Sequence, residues 1–94
     1  MATGTITRND IKTVEADGGS HQISAYSEYT GDATYSLPTG YKAVVATLRA
    51  TGHGSAYLRN CFLNGDGKVR FTVASRESSA ITAHPYFDVV VAKL

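Results

Sequence analysis

The chain has 94 residues, a formal net charge of +1, 43% hydrophobic residues and a single cysteine. This length predicts one domain near the lower limit for a self-sufficient core, and Cys61 has no partner for a disulfide within the chain. The balanced charge, without a basic stripe, argues against nucleic-acid binding, and no apolar run reaches the roughly 18 residues of a membrane span.

The N-terminal segment from Thr3 to Ala16 is polar and rich in threonine, with few apolar residues to anchor it. Pairing with a neighbouring subunit, or a joint to an upstream protein, would explain such a segment, and a loosely held edge strand explains it equally well. We therefore assign residues 1–94 to one domain in which residues 1–16 are a candidate interface or docking arm. The first ten residues show no basic region followed by an apolar core, so no secretory signal is predicted.

Short strands and turns follow in the first half of the chain. Residues 17–20, Asp-Gly-Gly-Ser, predict a turn, and residues 21–29 alternate as a strand. After a loop at 29–32, a short strand ends at Pro38. Residues 41–50 are apolar on both faces, and this pattern predicts a central strand.

The stretch "FLNGDGKVRFTVAS" contains either a hairpin turn or a glycine-rich metal loop. A calcium loop would need more oxygen ligands at alternate positions and a distal bidentate acid, whereas Asp66 is the only carboxylate nearby. Asn-Gly and Asp-Gly tolerate the positive φ of tight hairpin turns, so residues 64–67 predict a turn. In the strand that follows, Val69, Phe71 and Val73 share one face.

The remaining segments complete an all-β pattern. "TGHGS" at 51–55 separates two strands, residues 76–85 form the longest irregular connection, and residues 86–94 are a strand with a nearly continuous apolar run. The sequence contains about seven short strands, with turns roughly every eight to twelve residues. This pattern predicts a single antiparallel β-sandwich or jelly-roll-like domain.

The alternating strand direction predicts which loops lie together. If successive strands run antiparallel, loops 29–32, 51–55 and 76–85 lie at one end, and loops 17–20, 37–40 and 64–67 lie at the other. The first end carries the side chains that suit ligand binding, whereas the second carries mostly turn-forming residues. The candidate ligand-binding residues are Tyr29, Asp32, His53, Arg76, Glu77 and His84.

No pattern of catalytic or metal-binding residues is present in the sequence. No two of the three histidines are two or four residues apart, Cys61 has no CxxC partner, and the GxSxG, HExxH and phosphate-loop motifs are absent. We therefore predict no enzyme activity, no metal and no cofactor.

Tyrosine is the main aromatic residue, with six copies and no tryptophan. Tyr26, Tyr29, Tyr35 and Tyr41 lie close together in the sequence. Tyrosine supplies a large contact area at little cost in side-chain entropy, which suits contacts with glycans and proteins. The alternative for each is a ring half-buried on a strand face.

Several segments resemble small phage and prophage tail-tip proteins: "LPTGYKAVVATLRATG", "AYLRN" and the terminal "YFDVVVAKL", with the opening "MATGTI". They are similar to receptor-binding or accessory domains of tail fibres, in which a P-x-G-Y-K turn precedes an apolar strand. The positions that match are Pro38, Gly40, Tyr41, Lys42, Arg59 and Asn60. The polar N-terminal half does not resemble a coiled or triple-helical fibre shaft.

The resemblance implies a non-enzymatic structural protein of the virion, made in the bacterial cytoplasm without a signal peptide. It implies a homotrimeric head with shallow sites for a host cell-surface glycan and contacts with other virion proteins. The charge pattern and the lack of a long apolar run predict that neither nucleic acid nor a membrane is a partner. The alternatives are a capsid decoration or virion assembly protein without glycan binding, and a lectin-like or adhesin-like module outside any phage.

Overall fold

The computed structural model describes residues 10–94, which form eight strands with antiparallel pairing only. The strands are β1 (Ile11–Asp17), β2 (His21–Ile23), β3 (Glu28–Thr34), β4 (Tyr41–Ala50), β5 (Ala56–Leu63), β6 (Lys68–Ser75), β7 (Ile81–Ala83) and β8 (Tyr86–Lys93). Six form one sheet in the order β4-β8-β1-β3-β6-β5, and β2 pairs with β7. The predicted all-β, sandwich-like class is confirmed. Within residues 10–94 there is no helix that could cross a membrane.

The six-stranded sheet folds back on itself as two halves, β4-β8-β1 and β3-β6-β5. β1 and β3 pair at a single position, Asp17 with Thr34, so the sheet bends sharply there. At the opposite seam the Cys61 thiol of β5 lies 3.6 Å from the Ala46 carbonyl oxygen of β4. The sheet is therefore nearly closed, and its two halves enclose one core.

The core lies between the central strands of the two halves. The Phe71 ring of β6 and the Phe87 ring of β8 are fully buried, with centroids 5.2 Å apart. Around them lie the buried side chains Val69, Val73, Val89 and Val91, and the β2–β7 pair adds Ile23, Ile81 and Ala83. Burial of each large apolar side chain contributes about 1.5–3 kcal/mol. The predicted inward face of residues 69, 71 and 73 is confirmed.

The prediction of a central strand at residues 41–50 is wrong. β4 is an edge strand that pairs with β8, and its register shifts beside Val44 and again beside Arg49. Val44 and Val45 are 56% and 45% exposed. The apolar pattern on both faces therefore arises because one face packs on the core while the other presents valines to the solvent. β8 is the central strand of this half instead.

The predicted loop at 29–32 is also wrong, because β3 runs through it in register with β6. Gly31 is a strand residue whose missing side chain leaves room for the Tyr29 ring: a Cβ there would lie 2.7 Å from that ring. Asp32 remains in the strand because Arg70, directly opposite, donates to its carboxylate from Nε at 3.0 Å.

Of the predictions made for two of the turns, one is confirmed and one is wrong. The hairpin at 64–67 is confirmed: it joins β5 to β6, and Gly65 and Gly67 take the positive φ values of 75° and 83°. The turn at 17–20 was predicted at the opposite end from residues 76–85. This is wrong, because the Gly18 N–H donates to the Pro85 carbonyl oxygen at 2.8 Å.

β1 is paired along its whole length with β8, but with β3 only at Asp17. Residues 11–17 pair with β8 along their whole length, from Ile11 opposite Ala92 to Asp17 opposite Tyr86. Residues 11–16 therefore have a partner strand on one side only, as the edge-strand alternative expects, and this part of the suggested arm pairs within the chain. Residues 1–9 lie outside the described part, so the arm remains a prediction for them.

Candidate binding surface

The loop 51–55 links three of the six predicted site residues through Ser55. The Ser55 N–H donates to the His53 Nδ1 at 3.0 Å, and the Ser55 carbonyl oxygen accepts the Arg76 N–H at 2.9 Å. The Ser55 hydroxyl donates to the Glu77 carboxylate at 2.5 Å. His53, Arg76 and Glu77 therefore lie together at one end of the molecule.

His84 lies on the other side of the same loop. Its N–H donates to the Thr51 carbonyl oxygen at 3.0 Å, and its ring stacks on Tyr86 with centroids 4.4 Å apart. The Nε2 lies 2.5 Å from the Asp17 carboxylate. The predicted proximity of loops 51–55 and 76–85 is confirmed by these contacts.

Tyr29 and Asp32 do not belong to this loop cluster. Tyr29 stacks on the His21 ring at 4.1 Å and lies 6.1 Å from the Phe71 ring, so it extends the aromatic core. Asp32 lies further along β3 and pairs with Arg70. Both residues lie in strand β3 and stabilise the sheet, whereas the sequence pattern placed them in a loop.

All three histidines make contacts that hold turns or loops in place. His21 Nε2 lies 2.6 Å from the Gly18 carbonyl oxygen. The His53 carbonyl oxygen accepts the Thr51 hydroxyl at 2.8 Å and the Ala56 N–H at 3.1 Å, which closes the loop on itself. The His53 ring accepts the Ser55 N–H at Nδ1, and the His84 ring contacts Asp17, so each of the three rings has a partner within the chain.

Four groups have a shifted pKa with a clear physical cause: Asp17, Asp32, Cys61 and, on the other face, Arg49. The Gly19 N–H and then His84 hold the pKa of Asp17 below its ordinary value. Hydrogen bonds from Arg70 lower the pKa of Asp32 in the same way. Burial raises the pKa of the Cys61 thiol, which keeps it in the protonated, less nucleophilic form. Among residues 10–94 no group of three or more His, Cys, Asp or Glu is arranged to hold a metal ion.

Tyr26 is among the tyrosines noted in the sequence, but the predicted site does not include this most exposed aromatic residue. Tyr26 was assigned to a strand, but it lies in a tight turn whose Ser27 N–H donates to the Ser24 carbonyl oxygen at 3.0 Å. Its φ is +51° and its side chain is 71% exposed. Ser24 and Ser27, the first and last residues of "SAYS", are the one sequence signal that indicates a turn here.

A second aromatic ring at this end of the molecule belongs to Tyr57 of β5. The Arg76 guanidinium carbon lies 4.3 Å from the centre of the Tyr57 ring, within the range of a cation–π contact. The Tyr26 N–H donates to the Glu77 carbonyl oxygen at 3.1 Å, which places this turn beside the residue that follows Arg76. We call Tyr26, Ser55, Tyr57, Arg76 and Glu77 the loop-end surface.

A separate apolar surface covers the outside of the β4-β8-β1 half. Ile11, Val44 and Val45 are 42%, 56% and 45% exposed, and the register places half-buried Val90 between Val45 and Thr13. We call Ile11, Val44, Val45 and Val90 the apolar outer face.

One border of the apolar outer face is an ion-pair cluster. Glu15 and Asp88 lie opposite each other on β1 and β8, and the Arg49 guanidinium donates to both carboxylates, at 2.6 Å for Glu15. Asp88 and Glu15 together raise the pKa of Arg49. Both carboxylates contact the one Arg49 guanidinium, so the cluster forms a polar rim to the apolar outer face.

Comparison with protein-family models, with curated proteins and with solved structures finds no match to this chain.

Proposed function

We propose that this chain is a non-enzymatic structural protein of a bacteriophage particle, a head domain of the tail-fibre type. It assembles as a homotrimer on the virion and binds a saccharide on the host cell surface. The resemblance in "LPTGYKAVVATLRATG", "AYLRN" and "YFDVVVAKL" supports the phage assignment. A small sandwich-like domain is compatible with that role.

The apolar outer face is the observation that carries the assembly part of the proposal. Three large apolar side chains exposed on one face, with a polar rim beside them, are typical of a protein contact surface. A chain of this length also gains stability when it buries further apolar area against other copies. A second and a third copy of the same chain are therefore the proposed occupants of this face.

The molar mass of the full chain in solution tests the assembly. Size exclusion with light scattering should give a mass near three times 10.0 kDa. Val44→Lys places a charge in the apolar outer face and should yield monomers, because lysine on an edge strand opposes association. Phe62→Lys is the matched control: Phe62 is similarly exposed, at 54%, but lies on β5 of the other half.

The outcomes separate clearly. A trimer that survives Phe62→Lys and dissociates with Val44→Lys supports assembly through this face. A monomeric wild-type chain would contradict the trimeric head, and a trimer unaffected by Val44→Lys would place the interface elsewhere.

A further inference from the structure

Tyr26 occupies a backbone conformation that its residue type disfavours. In the turn 24–27 it takes the third position with φ of +51°, where type II turns normally have glycine or asparagine. Tyr26 is the only non-glycine residue with positive φ in the described part of the chain. A bulky side chain in this region costs free energy, and such outliers are concentrated at functional sites.

The Tyr26 ring does not offset the free-energy cost of this backbone conformation by packing in the hydrophobic core. It is 71% exposed and does not belong to the hydrophobic cluster of residues 10–94. The turn itself is held by backbone groups: the Ser27 N–H to Ser24 and the Tyr26 N–H to Glu77. A glycine would keep all of these bonds, so the structure has no evident need for a tyrosine at this position.

The groups around Tyr26 indicate the chemistry of a ligand. Arg76 lies over the Tyr57 ring, and the Glu77 carboxylate accepts a hydrogen bond from Ser55. The formal charges of Arg76 and Glu77 cancel. Those of Arg59 on β5 and Glu28 on β3, which lie 3.9 Å apart across β6, cancel as well. The surface therefore favours a ligand without net charge.

We propose that the loop-end surface is a binding platform for a neutral saccharide. The apolar C–H face of a pyranose ring stacks on the exposed Tyr26 ring, as aromatic faces accept such groups. Its hydroxyls reach the Glu77 carboxylate, the Arg76 guanidinium and the Ser55 hydroxyl, which supply both acceptors and donors. This inference rests on the proposed function and assigns its saccharide site to named residues.

The first experiment is an NMR titration of the ¹⁵N-labelled full chain with two neutral probes, chitotetraose and maltotetraose. At least one probe should shift the amide signals of Tyr26, Ser55 and Glu77 in a saturable way. Sialyllactose, which carries a negative charge, is the comparison ligand and should bind at least tenfold more weakly. The absence of saturable shifts at these amides with both neutral probes, or stronger binding of sialyllactose, would overturn the proposal.

Tyr26→Gly is the decisive variant because glycine takes positive φ without a steric penalty. It should unfold at the same or a higher urea concentration than the wild type, while its affinity for the probe falls at least tenfold. Thr30→Gly, on the outer face of β3, is the control for removal of a side chain elsewhere and should leave the probe affinity unchanged. A lower unfolding midpoint for Tyr26→Gly would show that the ring has a structural task and would overturn the inference.

The two proposals can fail separately. Saturable shifts at the loop-end surface in a monomeric chain would support the platform and contradict the trimeric head. A trimer without such shifts would support the trimeric head and contradict the saccharide platform. If Tyr26→Gly dissociates the trimer, the turn is a subunit contact and the saccharide platform is wrong.

Discussion

Individual glycines fix the loops of this protein by what their missing side chains allow. Gly52 has a φ of +77°, and a Cβ there would lie 2.6 Å from the His84 backbone nitrogen and 2.7 Å from its carbonyl oxygen. Gly54, two residues later in the same loop, has open space around it and no positive φ. The loop 51–55 can therefore pack against His84 only with glycine at position 52.

This difference predicts opposite results for two alanine substitutions. Gly52→Ala should lower the free energy of unfolding by about 1–3 kcal/mol or more, because it adds both backbone strain and a clash with backbone atoms. Gly54→Ala should be neutral or stabilising by about 0.4–1 kcal/mol, because it reduces the entropy of the unfolded chain. Urea denaturation of both variants measures the difference, and equal effects would contradict the packing described.

The contacts of the Asp17 carboxylate predict how the stability of the fold changes at low pH. Its carboxylate accepts hydrogen bonds from the Gly19 N–H and pairs with His84, and these partners lower its pKa in the folded state. A carboxyl group with a depressed folded pKa stabilises the fold above its unfolded pKa. That contribution is lost as the pH falls through the folded pKa. Stability should therefore decline on the acid side.

Asp17→Asn tests this prediction. The variant should be less stable than the wild type at neutral pH and should lose less stability as the pH is lowered below about 4, the ordinary range of aspartate. Asp66→Asn removes an exposed carboxylate from the hairpin and is the control for the change in charge. Parallel stability–pH curves for the wild type and Asp17→Asn would contradict the role assigned to Asp17.

At the scale of the strand, β3 shows how neighbouring strands override local sequence signals. Residues 29–32, Tyr-Thr-Gly-Asp, predict a turn because glycine and aspartate are common there. In the sheet, the Tyr29 ring covers Gly31, and Arg70 of β6 neutralises Asp32. Both compensations depend on residues brought together by folding, so the sequence could not reveal them.

The contact between Gly31 and Tyr29 gives a test of this explanation. Gly31→Ala should displace the Tyr29 ring from its stack on His21 and cost about 0.5–1.5 kcal/mol, the value of an aromatic pair. In a Tyr29→Ala background the same change should be neutral or stabilising, because the clash is gone. Urea denaturation of the four chains measures the coupling, and the ring-proton shifts of His21 report the lost stack. Additive effects would show that the ring does not cover Gly31.

The predictable elements were those whose signals are local. The alternation over residues 68–75 and the Asn-Gly-Asp-Gly turn before it identified a hairpin that the structure contains. The position of β4 at the edge was missed because apolar residues on both faces do not distinguish a buried strand from one with an apolar outer surface. The turn at Tyr26 was not predicted because a non-glycine residue with positive φ has no reliable sequence signature.

At the scale of the whole molecule, the two halves of the sheet share one core and have little ladder pairing between them. They are joined by the single β1–β3 position, by the approach of Cys61 to Ala46, and by the packing of Phe71 on Phe87. Each half has three strands, and a single sheet layer can bury its apolar face only against another element. We therefore expect the two halves to unfold together.

Hydrogen exchange measures this cooperativity directly. The slowest amides of β6 and of β8, the central strands of the two halves, should give the same opening free energy, equal to that from urea denaturation. Amides of β4 and β5 should exchange faster, because the seam between these edge strands has no continuous ladder. Phe87→Leu should lower the protection of β6 as much as that of β8, since the Phe71 ring loses its partner across the core. If β6 kept its protection while β8 lost its own, the halves would be independent folding units, and the shared core would not be what holds this fold together.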